Sequence, residues 1–332
     1  MRIIAAVAFT SLLFAAGSIS GAAVEPSVDV YAGQLSVVAG DDIVFHLSAN
    51  TETVALTITR IGAQNEQVFA QQRIPVTTHP VPARASSDGC GWPVGFSMKV
   101  PGEWKSGYYE ARFVGDVEAA EGATKQATGM AFFVVRASTP GESSSILLQL
   151  STNTYNAYTN WGGHSLYSYH DRDGLQGHRV SFDRPISSQF SKWEAPFVRW
   201  AESNGYQLEF AANSDLEFHP EILSRYKLVL SVGHDEYWSS PMRDSLEAYI
   251  ASGGNVAFFS GNTCCWQVRS EDEGRALTCW KQAYVLAPLF RTGEPRLHST
   301  AWSHHLDGRP ENELTGVGFL WGGYHRSHGQ FM

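Results

Sequence analysis

The stretch that most constrains the fold runs from Lys227 to Asn262 and has the order strand, polar loop, helix, strand. Lys227–Val232 is a short apolar run, typical of a strand buried on both faces. Ser240-Pro241 predicts an N-cap and a proline at the first helical position, and Gly253-Gly254 ends the helix. Asn255–Ser260 is the next strand. Such a βαβ unit is right-handed, so both strands end at one sheet edge, where ligands of open α/β sheets bind.

Polar side chains follow both strands at that edge. A carboxylate there, such as Glu236, either binds a cation or has a shifted pKa that suits acid–base chemistry. Alternatively, Asp235 and Glu236 interact with the helix dipole. His234 is a candidate catalytic or binding group, or a structural histidine. Asn262 either donates a hydrogen bond to an oxyanion or caps its turn.

The chain has 332 residues, which is enough for two domains. Short alternating strands up to about Arg136 predict an immunoglobulin-like β-sandwich. From Ser145 onward strands and helices alternate, which predicts a doubly wound parallel sheet of the glutamine-amidotransferase or flavodoxin type. We predict a signal peptide over 1–23, the sandwich over 24–137, a linker over 138–145 and the α/β domain over 146–332, continuing beyond Met332.

Within the α/β domain, apolar periodicity predicts where the elements lie. The predicted elements are a strand over Ile146–Leu150, a helix over Ser191–Asn204, a strand over Tyr206–Phe210, a short helix over Pro220–Tyr226 and a strand with a glycine turn over Leu314–Gly323. We expect Phe197, Trp200 and Ala201 to share one face of their helix. The long loop from Ser151 to Gln189 is rich in aromatic residues and glycine, and loops of that length tend to be functional.

The charge and the N-terminus bear on location. Met1–Ala23 has the arginine, apolar core and small residues of a secretory signal, so we expect a secreted or periplasmic protein that is soluble after cleavage. A net charge of −9 without blocks of like charge argues against nucleic acid and anionic membranes as partners. Four cysteines in an oxidising compartment predict a structural disulfide, best between Cys279 and either Cys264 or Cys265.

Two further features of the sequence bear on whether the protein is an enzyme. The chain contains neither a GxSxG nucleophile elbow nor a GxxxxGK[ST] phosphate loop. Aromatic side chains could instead form a platform on which sugars stack, and they are Tyr158, Trp161, Tyr167, Tyr169 and Trp238. A carbohydrate-binding protein of the cell envelope without catalytic activity is therefore the alternative to an enzyme.

Several motifs resemble the C-terminal region of the N,N-dimethylformamidase large subunit. They are TYNAYTNWGGHSLY (154–167), VSFDRP (180–185), SVGHDEYWSSPMRDSLEAYIASGGNVAFFSGN (231–262) and LTGVGFLWGG (314–323). The β-rich segment CGWPVGFSMKVPGEWKSGYYEARF (90–113) is similar to the domain that precedes that region. The resemblance implies a mononuclear iron amidohydrolase whose iron is held by two tyrosinates and one glutamate, hard oxygen donors suited to a Lewis-acidic iron.

Carried over residue by residue, the resemblance implies that Glu236 is the carboxylate ligand. It implies Tyr158 as one tyrosinate, with Tyr155 as a substitute, and Tyr109 of the SGYY turn as the other, so that the sandwich forms a wall of the site. His234 and Asn262 match residues that polarise or position the substrate. The function predicted is a secreted, metal-dependent hydrolase of a small amide, working with a small partner subunit or as a homo-oligomer.

Overall fold

A computed structural model of the chain describes residues 25–118, 124–170 and 176–318. The predicted signal peptide over Met1–Ala23 lies outside these residues, as does the second half of Leu314–Gly323. Across the described ranges, no helix combines the length and apolar character needed to cross a membrane. The predicted mixed α/β class, with many strands in several sheets, is confirmed.

The N-terminal part is rich in β-structure. Its elements are β1 (Val28–Ala32), β2 (Ser36–Val38), β3 (Asp42–Ala49), β4 (Thr53–Ile61), β5 (Glu66–Pro75), helix α1 (Ala85–Asp88), β6 (Val94–Lys99), β7 (Gly107–Glu118) and β8 (Thr124–Arg136). They form a three-stranded sheet, β1-β3-β6, and a five-stranded sheet, β2-β8-β7-β4-β5. Phe45, Phe113 and Phe133 pack edge to face between the two sheets.

The C-terminal part alternates strands and helices. Its elements are β9 (Ile146–Leu150), α2 (Thr152–Tyr158), β10 (Arg179–Ser181), α3 (Phe190–Trp193), α4 (Ala195–Ser203), β11 (Glu209–Ala212), α5 (Asn213–Phe218), β12 (Leu228–His234), β13 (Tyr237–Ser239), α6 (Ser240–Ala251), β14 (Asn255–Gly261), β15 (Trp266–Glu271), β16 (Ala276–Thr278) and α7 (Asn312–Thr315). Short 3₁₀ helices span Ser168–His170, Pro220–Arg225, Lys281–Leu286, Phe290–Thr292 and Pro295–Leu297.

Four of these strands, β11-β9-β12-β14 in that order, form a parallel sheet. The carboxyl ends of β9, β12 and β14 therefore lie along one edge, as the βαβ pattern predicts. A second sheet has the strand order β10-β16-β15-β13. The chain enters it directly from that edge of the parallel sheet, because β13 begins only three residues after β12 ends. The loops between the two sheets carry the polar residues discussed below.

Some local predictions need correction. Ser239, not Ser240, is the N-cap of α6, because its Oγ accepts a hydrogen bond of 3.2 Å from the Met242 backbone N–H. The stretch 151–189 is not a loop without structure of its own, since it contains α2 and β10. The described part of the predicted C-terminal strand begins in helix α7 instead.

The helix predicted over Ser191–Asn204 is two helices, α3 and α4, which meet at the buried Glu194. The buried face of α4 carries Ala195, Val198 and Ala201, whereas Trp200 is 55% exposed. The predicted common face of Phe197, Trp200 and Ala201 is therefore not the buried face of the helix. Small side chains let the helix axis approach the sheet closely, and the larger aromatic residues are left at the rim.

All four cysteines lie within the described residues, and none forms a disulfide. Cys264 packs in a cluster with Trp238 and Met242, whereas Cys279 packs in a different cluster with Leu277. The Cys279 thiol is 3.6 Å from the backbone oxygens of Gln267 and Ser299. The predicted disulfide is thus not formed. Cys264 and Cys279 belong to separate parts of the core, and Cys265 is a free thiol as well.

The two parts of the chain pack directly on each other. The ring of Tyr108 on β7 stacks on Phe190 of α3 at 3.8 Å between centroids, and its hydroxyl donates to Ser188 Oγ at 2.7 Å. Ile61, Phe132 and Val134 join the same apolar cluster as residues of the parallel sheet. This contact fixes where α3 lies, and α3 adjoins the edge at which β12 ends.

The segment between the two parts is held by Glu209 on β11. Its buried carboxylate accepts hydrogen bonds from the backbone N–H groups of Gly141, Ser143 and Ser144 and from the Tyr226 hydroxyl. Burial raises the pKa of Glu209, but these hydrogen bonds lower it overall. A charged carboxylate thus fastens the connecting segment to the edge of the sheet.

We predict that Glu209→Gln lowers the free energy of unfolding at pH 7 by about 1–3 kcal/mol. The amide NH₂ of glutamine would face groups that are themselves hydrogen-bond donors, so those groups would lose their acceptor. A depressed pKa gives stability that is present above the ordinary value of 4.5 and is lost as the pH falls through the folded value. The difference between variant and wild type should therefore shrink in acid. Urea denaturation at several pH values measures it, with exposed Glu66→Gln as control; an unchanged difference in acid would contradict the prediction.

Candidate active site

Glu236 lies just beyond the end of β12 and is only 3% exposed. The Tyr167 hydroxyl donates to its Oε1 at 2.6 Å, and the Tyr158 hydroxyl donates to its Oε2 at 2.7 Å. The two hydroxyl oxygens are 2.9 Å apart, and the Trp266 indole N–H donates to Oε1 at 2.8 Å. Two phenols and one carboxylate are therefore gathered around a single point.

Separate segments supply these side chains. Tyr158 is the last residue of α2, which follows β9, and Trp266 is the first residue of β15. Tyr167 comes from the chain that leaves α2 through Gly162-Gly163, two glycines with positive φ. The backbone N–H of Glu236 donates to Thr154 Oγ1 at 3.0 Å, and its carbonyl accepts from Trp266 N–H at 2.9 Å. The backbone around Glu236 is thus held on both sides.

The electrostatics of the cluster are determined by burial. Desolvation, then the charge of Glu236, raises the pKa of both Tyr158 and Tyr167 well above the usual range. Burial also raises the pKa of Glu236, but hydrogen bonds from His234, Tyr167 and Tyr158 lower it overall. The carboxylate is therefore charged, and the phenols keep their protons unless a positive charge is brought close to them.

Lys281 brings a positive charge to the back of the cluster. Its Nζ lies 3.2 Å from the centroid of the Tyr167 ring, and the rings of Trp266 and Tyr237 are 5.1 and 5.2 Å away. The ammonium is buried and has no hydrogen-bond partner in the part of the chain that the structure describes. Burial lowers the pKa of Lys281 to about 8.

His234 and Asn262 lie at the open side of the cluster. His234 Nε2 is 3.1 Å from Glu236 Oε2 and 3.2 Å from Asn262 Nδ2. The other ring nitrogen, Nδ1, is 3.4 Å from Gln189 Oε1. Asn262 has a φ of 53°, the left-handed conformation that asparagine tolerates better than most residues, and this turn directs its amide back towards His234. The His234 side chain is 14% exposed.

The structure thus brings together Tyr158, Glu236, His234 and Asn262, four of the five residues predicted for the site. It does not bring Tyr109 to them. The Tyr109 ring stacks on Trp104 inside the sandwich at 5.0 Å, and its hydroxyl donates to the Lys105 carbonyl at 2.6 Å. Tyr155, the substitute for Tyr158, is buried and donates to Glu194.

Sequence reasoning missed the second phenol at Glu236, which is Tyr167. The signal was present, because Tyr167 ends the same TYNAYTNWGGHSLY motif that contains Tyr158. Nothing in the sequence pointed to Lys281, Trp266 or Gln189. These residues come from a 3₁₀ turn, a strand start and a loop, none of which has a motif.

The comparison with known families bears directly on this cluster. The sequence matches the family described as "N,N-dimethylformamidase beta subunit-like, C-terminal" over residues 55–331. The matched range includes every residue that surrounds Glu236. The chain belongs to this family.

Curated relatives in the N,N-dimethylformamidase family carry the name N,N-dimethylformamidase beta subunit. One, from Alcaligenes sp, is 30% identical over 138 residues, which cover 37% of this chain and 18% of that protein. Another, from Paracoccus aminophilus, is 27% identical over 233 residues, which cover 56% of this chain and 29% of that protein. The chain therefore spans less than a third of the length of either relative.

Similarity to solved structures is weaker. Spo0M, a sporulation control protein from Bacillus subtilis, matches with a TM-score of 0.23 and 13% identity, over 35% of this chain and 51% of that one. A TM-score this low says nothing about the fold of the family member described here.

Other polar residues at the sheet edge support the cluster from below. Asp235 is buried and accepts hydrogen bonds from Ser231, Asn213 and Gln149, and burial raises its pKa to about 6. Asp215 pairs with Arg136 at 3.1 Å. Within this family member, Asp235 therefore links β9, β12 and the start of α5 and does not face the open side.

The aromatic residues of the predicted sugar platform are mostly engaged within the protein. Trp161 packs against Trp92 and donates to Asp29, and Trp238 is fully buried with its indole N–H on the Asp235 carbonyl. Tyr158 and Tyr167 face Glu236. Of the five, only Tyr169 is largely exposed, at 68%.

We predict that Lys281→Met stabilises the protein at pH 7 by roughly 1–3 kcal/mol, because a buried ammonium is removed. The depressed pKa makes the lysine destabilising below about 8, and this cost fades as the pH rises towards 10.5. The gain should therefore shrink at alkaline pH. Denaturation at pH 7 and at alkaline pH tests this prediction, with exposed Lys227→Met as control. A variant that is less stable than wild type at pH 7 would show that the ammonium is held favourably.

Proposed function

We propose that the chain is the catalytic part of an amidohydrolase in which Tyr158, Tyr167 and Glu236 hold a mononuclear iron ion. The observation that carries the proposal is the mutual approach of three oxygen groups within 2.6–2.9 Å in a buried site. Membership of the N,N-dimethylformamidase family supports it. The ligand set implied by the resemblance is retained in kind, with Tyr167 in place of Tyr109.

The residues present fit such an ion. Ligands about 2.0–2.2 Å from one cation and at right angles to each other lie roughly 3 Å apart, close to the separations of these oxygens. Both phenols already donate to the same carboxylate, so a cation could replace their two protons without moving the side chains. Phenolate and carboxylate oxygens are hard donors and favour iron in a high oxidation state over soft metals.

When bound, iron would supply Lewis acidity, which polarises an amide carbonyl and makes water more acidic. The residues of the chain would do the rest. His234 and the Asn262 amide, at the open side, are placed to position the substrate and to donate to oxygen as it gains charge. Lys281 adds positive charge behind Tyr167, which favours its phenolate form.

The substrate class follows from the family. The relatives are named for N,N-dimethylformamidase, so we propose a small, linear amide whose C–N bond is hydrolysed. Since the relatives are called subunits, we propose that a small partner subunit or further copies of the chain complete the enzyme. From the signal peptide predicted over 1–23, we propose a secreted or periplasmic location. In the C-terminal part, the order β11-β9-β12-β14 corresponds to 2-1-3-4 and favours a flavodoxin-like domain. In the N-terminal part, the two facing sheets favour an immunoglobulin-like domain.

The test uses three matched variants, each lacking one hydroxyl. Tyr158→Phe and Tyr167→Phe should abolish the visible tyrosinate-to-iron charge-transfer band and the iron content of purified protein, because each removes an anionic ligand. Tyr109→Phe should keep both and cost only about 1 kcal/mol of stability, since it loses one buried hydrogen bond. Elemental analysis and absorption spectroscopy measure the outcome.

Hydrolysis of N,N-dimethylformamide should fall with iron content across the same variants. Loss of the charge-transfer band in Tyr109→Phe but not in Tyr167→Phe would show that the second tyrosinate ligand is Tyr109 of the sandwich and not Tyr167. A wild-type protein that is colourless and free of iron after growth with iron would overturn the metal proposal.

A further inference from the structure

Arg184, the arginine of the VSFDRP motif, is fully buried and forms no ion pair with a carboxylate of the described residues. Its guanidinium instead donates to oxygens at 2.6–3.2 Å, namely the backbone carbonyls of Asn156, Thr159, Trp161 and Ser181 and the side chain of Asn156. We propose that Arg184 is a positioning residue, which holds the segment that carries Tyr158 and Tyr167.

The first contact is with the end of helix α2. The last carbonyls of an α-helix have no partners within the helix, so other donors must satisfy them when they are buried. Helix α2 ends at Tyr158. Arg184 Nη2 is 3.2 Å from the Asn156 carbonyl oxygen and 2.9 Å from that of Thr159, so it binds the backbone on both sides of this tyrosine. One guanidinium thus fixes the helix end that carries the first phenol.

The second contact is with the turn that follows the helix. Arg184 Nη1 donates to the Trp161 carbonyl at 2.6 Å, and Ser86 Oγ of helix α1 donates to the same carbonyl at 3.2 Å. Ser86 Oγ also accepts from the His164 backbone N–H at 3.1 Å. Gly162 has a φ of +86°, and a Cβ built on it would lie 2.9 Å from the Ser86 nitrogen. The turn is therefore held between Arg184 and α1, and the chain beyond it returns towards α2.

The returning chain brings the second phenol beside the first. The Leu166 backbone N–H donates to the Ala157 carbonyl at 3.0 Å. These two residues directly precede Tyr167 and Tyr158, whose ring centroids are 4.5 Å apart. The loop between the two tyrosines is thus closed by one backbone hydrogen bond at its base. Because of this closure, a shift of the helix end moves both phenols.

The guanidinium also joins this segment to the second sheet. Arg184 Nε donates at 3.0 Å to the carbonyl of Ser181, the last residue of β10. Strand β10 pairs with β16, whereas helix α2 follows β9 of the parallel sheet. Arg184 therefore sets the distance between the second sheet and α2. The phenols lie in the space between the two sheets, where Glu236 follows β12.

The geometry requires an arginine at this position. The carbonyls come from three places in the chain, and a planar guanidinium offers five N–H donors that diverge in one plane. A lysine ammonium has three donors at one point and is more strongly hydrated, so it is less suited to a buried site of this shape. Arg184→Lys should therefore keep the positive charge but release part of the segment.

The consequence for metal binding rests on the proposed function. If Tyr158 and Tyr167 are ligands of iron, Arg184 supports them from behind without touching the metal. Residues that orient metal ligands in this way typically change metal affinity about 10–100-fold when they are replaced. We therefore expect Arg184→Lys to bind iron about 10–100-fold more weakly than the wild type.

NMR of metal-free protein tests the positioning itself. Tyrosine labelled with ¹³C at Cζ reports on each phenol, and Tyr158→Phe and Tyr167→Phe each remove one resonance and so assign it. Arg184→Lys should shift both resonances, because the phenols leave their hydrogen-bonded positions at Glu236. The resonance of Tyr109, assigned in the same way, should stay. Unshifted Tyr158 and Tyr167 resonances in folded Arg184→Lys protein would overturn the inference.

Arg243 provides a matched control. It is as fully buried as Arg184 and donates to the carbonyls of Arg309 and Pro310 at 2.6 and 3.2 Å, but it lies on helix α6. Arg243→Lys should lower the urea midpoint to a similar extent while both phenol resonances keep their positions. Equal shifts of these resonances in the two variants would show a general loosening of the protein and would overturn the positioning role.

A milder variant decides the matter if Arg184→Lys does not fold. Asn156→Ala removes one acceptor of the guanidinium, the side-chain oxygen at 3.0 Å, and leaves the backbone carbonyls in place. We expect a smaller shift of the Tyr158 resonance in the same direction. A folded Asn156→Ala protein with an unshifted resonance would overturn the inference.

Iron affinity gives a separate readout. Competition with a chelator measures it for wild type, Arg184→Lys and Arg243→Lys, and only Arg184→Lys should bind iron more weakly. Shifted phenols with unchanged iron affinity would overturn the role of Arg184 in metal binding. A wild-type protein that binds no iron would count against the proposed function, while the NMR result still decides whether Arg184 positions the phenols.

Discussion

The structure depends on the burial of one charged carboxylate. Glu236 is almost inaccessible to water, and a buried charge costs several kcal/mol unless hydrogen bonds replace its hydration. The donors that satisfy it, Tyr158, Tyr167 and Trp266, come from segments far apart in the chain. Meeting this requirement brings the loops after β9 and β14 to the end of β12. The same arrangement that stabilises the buried carboxylate also gathers three oxygen-bearing side chains at one place.

The β-rich part contributes indirectly. Tyr108 and Phe132 pack on the face of the parallel sheet that also carries Phe190, so they hold α3 and its neighbours against β12. No side chain of the sandwich reaches Glu236 among the contacts of the described residues. The sandwich is therefore a support for the helix beside His234, and changes at its interface would reach the site through α3.

Much of the parallel sheet could be predicted from sequence, because β9, β12 and β14 contain apolar runs that are followed by glycine or polar residues. The position of Glu236 at a strand end followed from the same pattern. Tyr109 could not be placed, since residues alternate across β7: Tyr109 and Ala111 face the other sheet, whereas Tyr108 faces the C-terminal part. Family resemblance identified the motif around Tyr158 but not the role of Tyr167. Lys281 and Gln189 depend on tertiary contacts that leave no local pattern.

Gly233 of β12 lies so close to α3 that a Cβ built on it would be 2.6 Å from Trp193 Cβ, and this contact has a consequence for sequence variation. Any side chain at that position would push Trp193 away and shift α3 relative to the sheet. Homologous chains that have replaced this glycine should therefore also have replaced the tryptophan, and the two positions should change together. An alignment of the family would reveal this pairing as covariation between two residues forty positions apart. Chains in which both residues differ would be those in which the packing beside the histidine has changed.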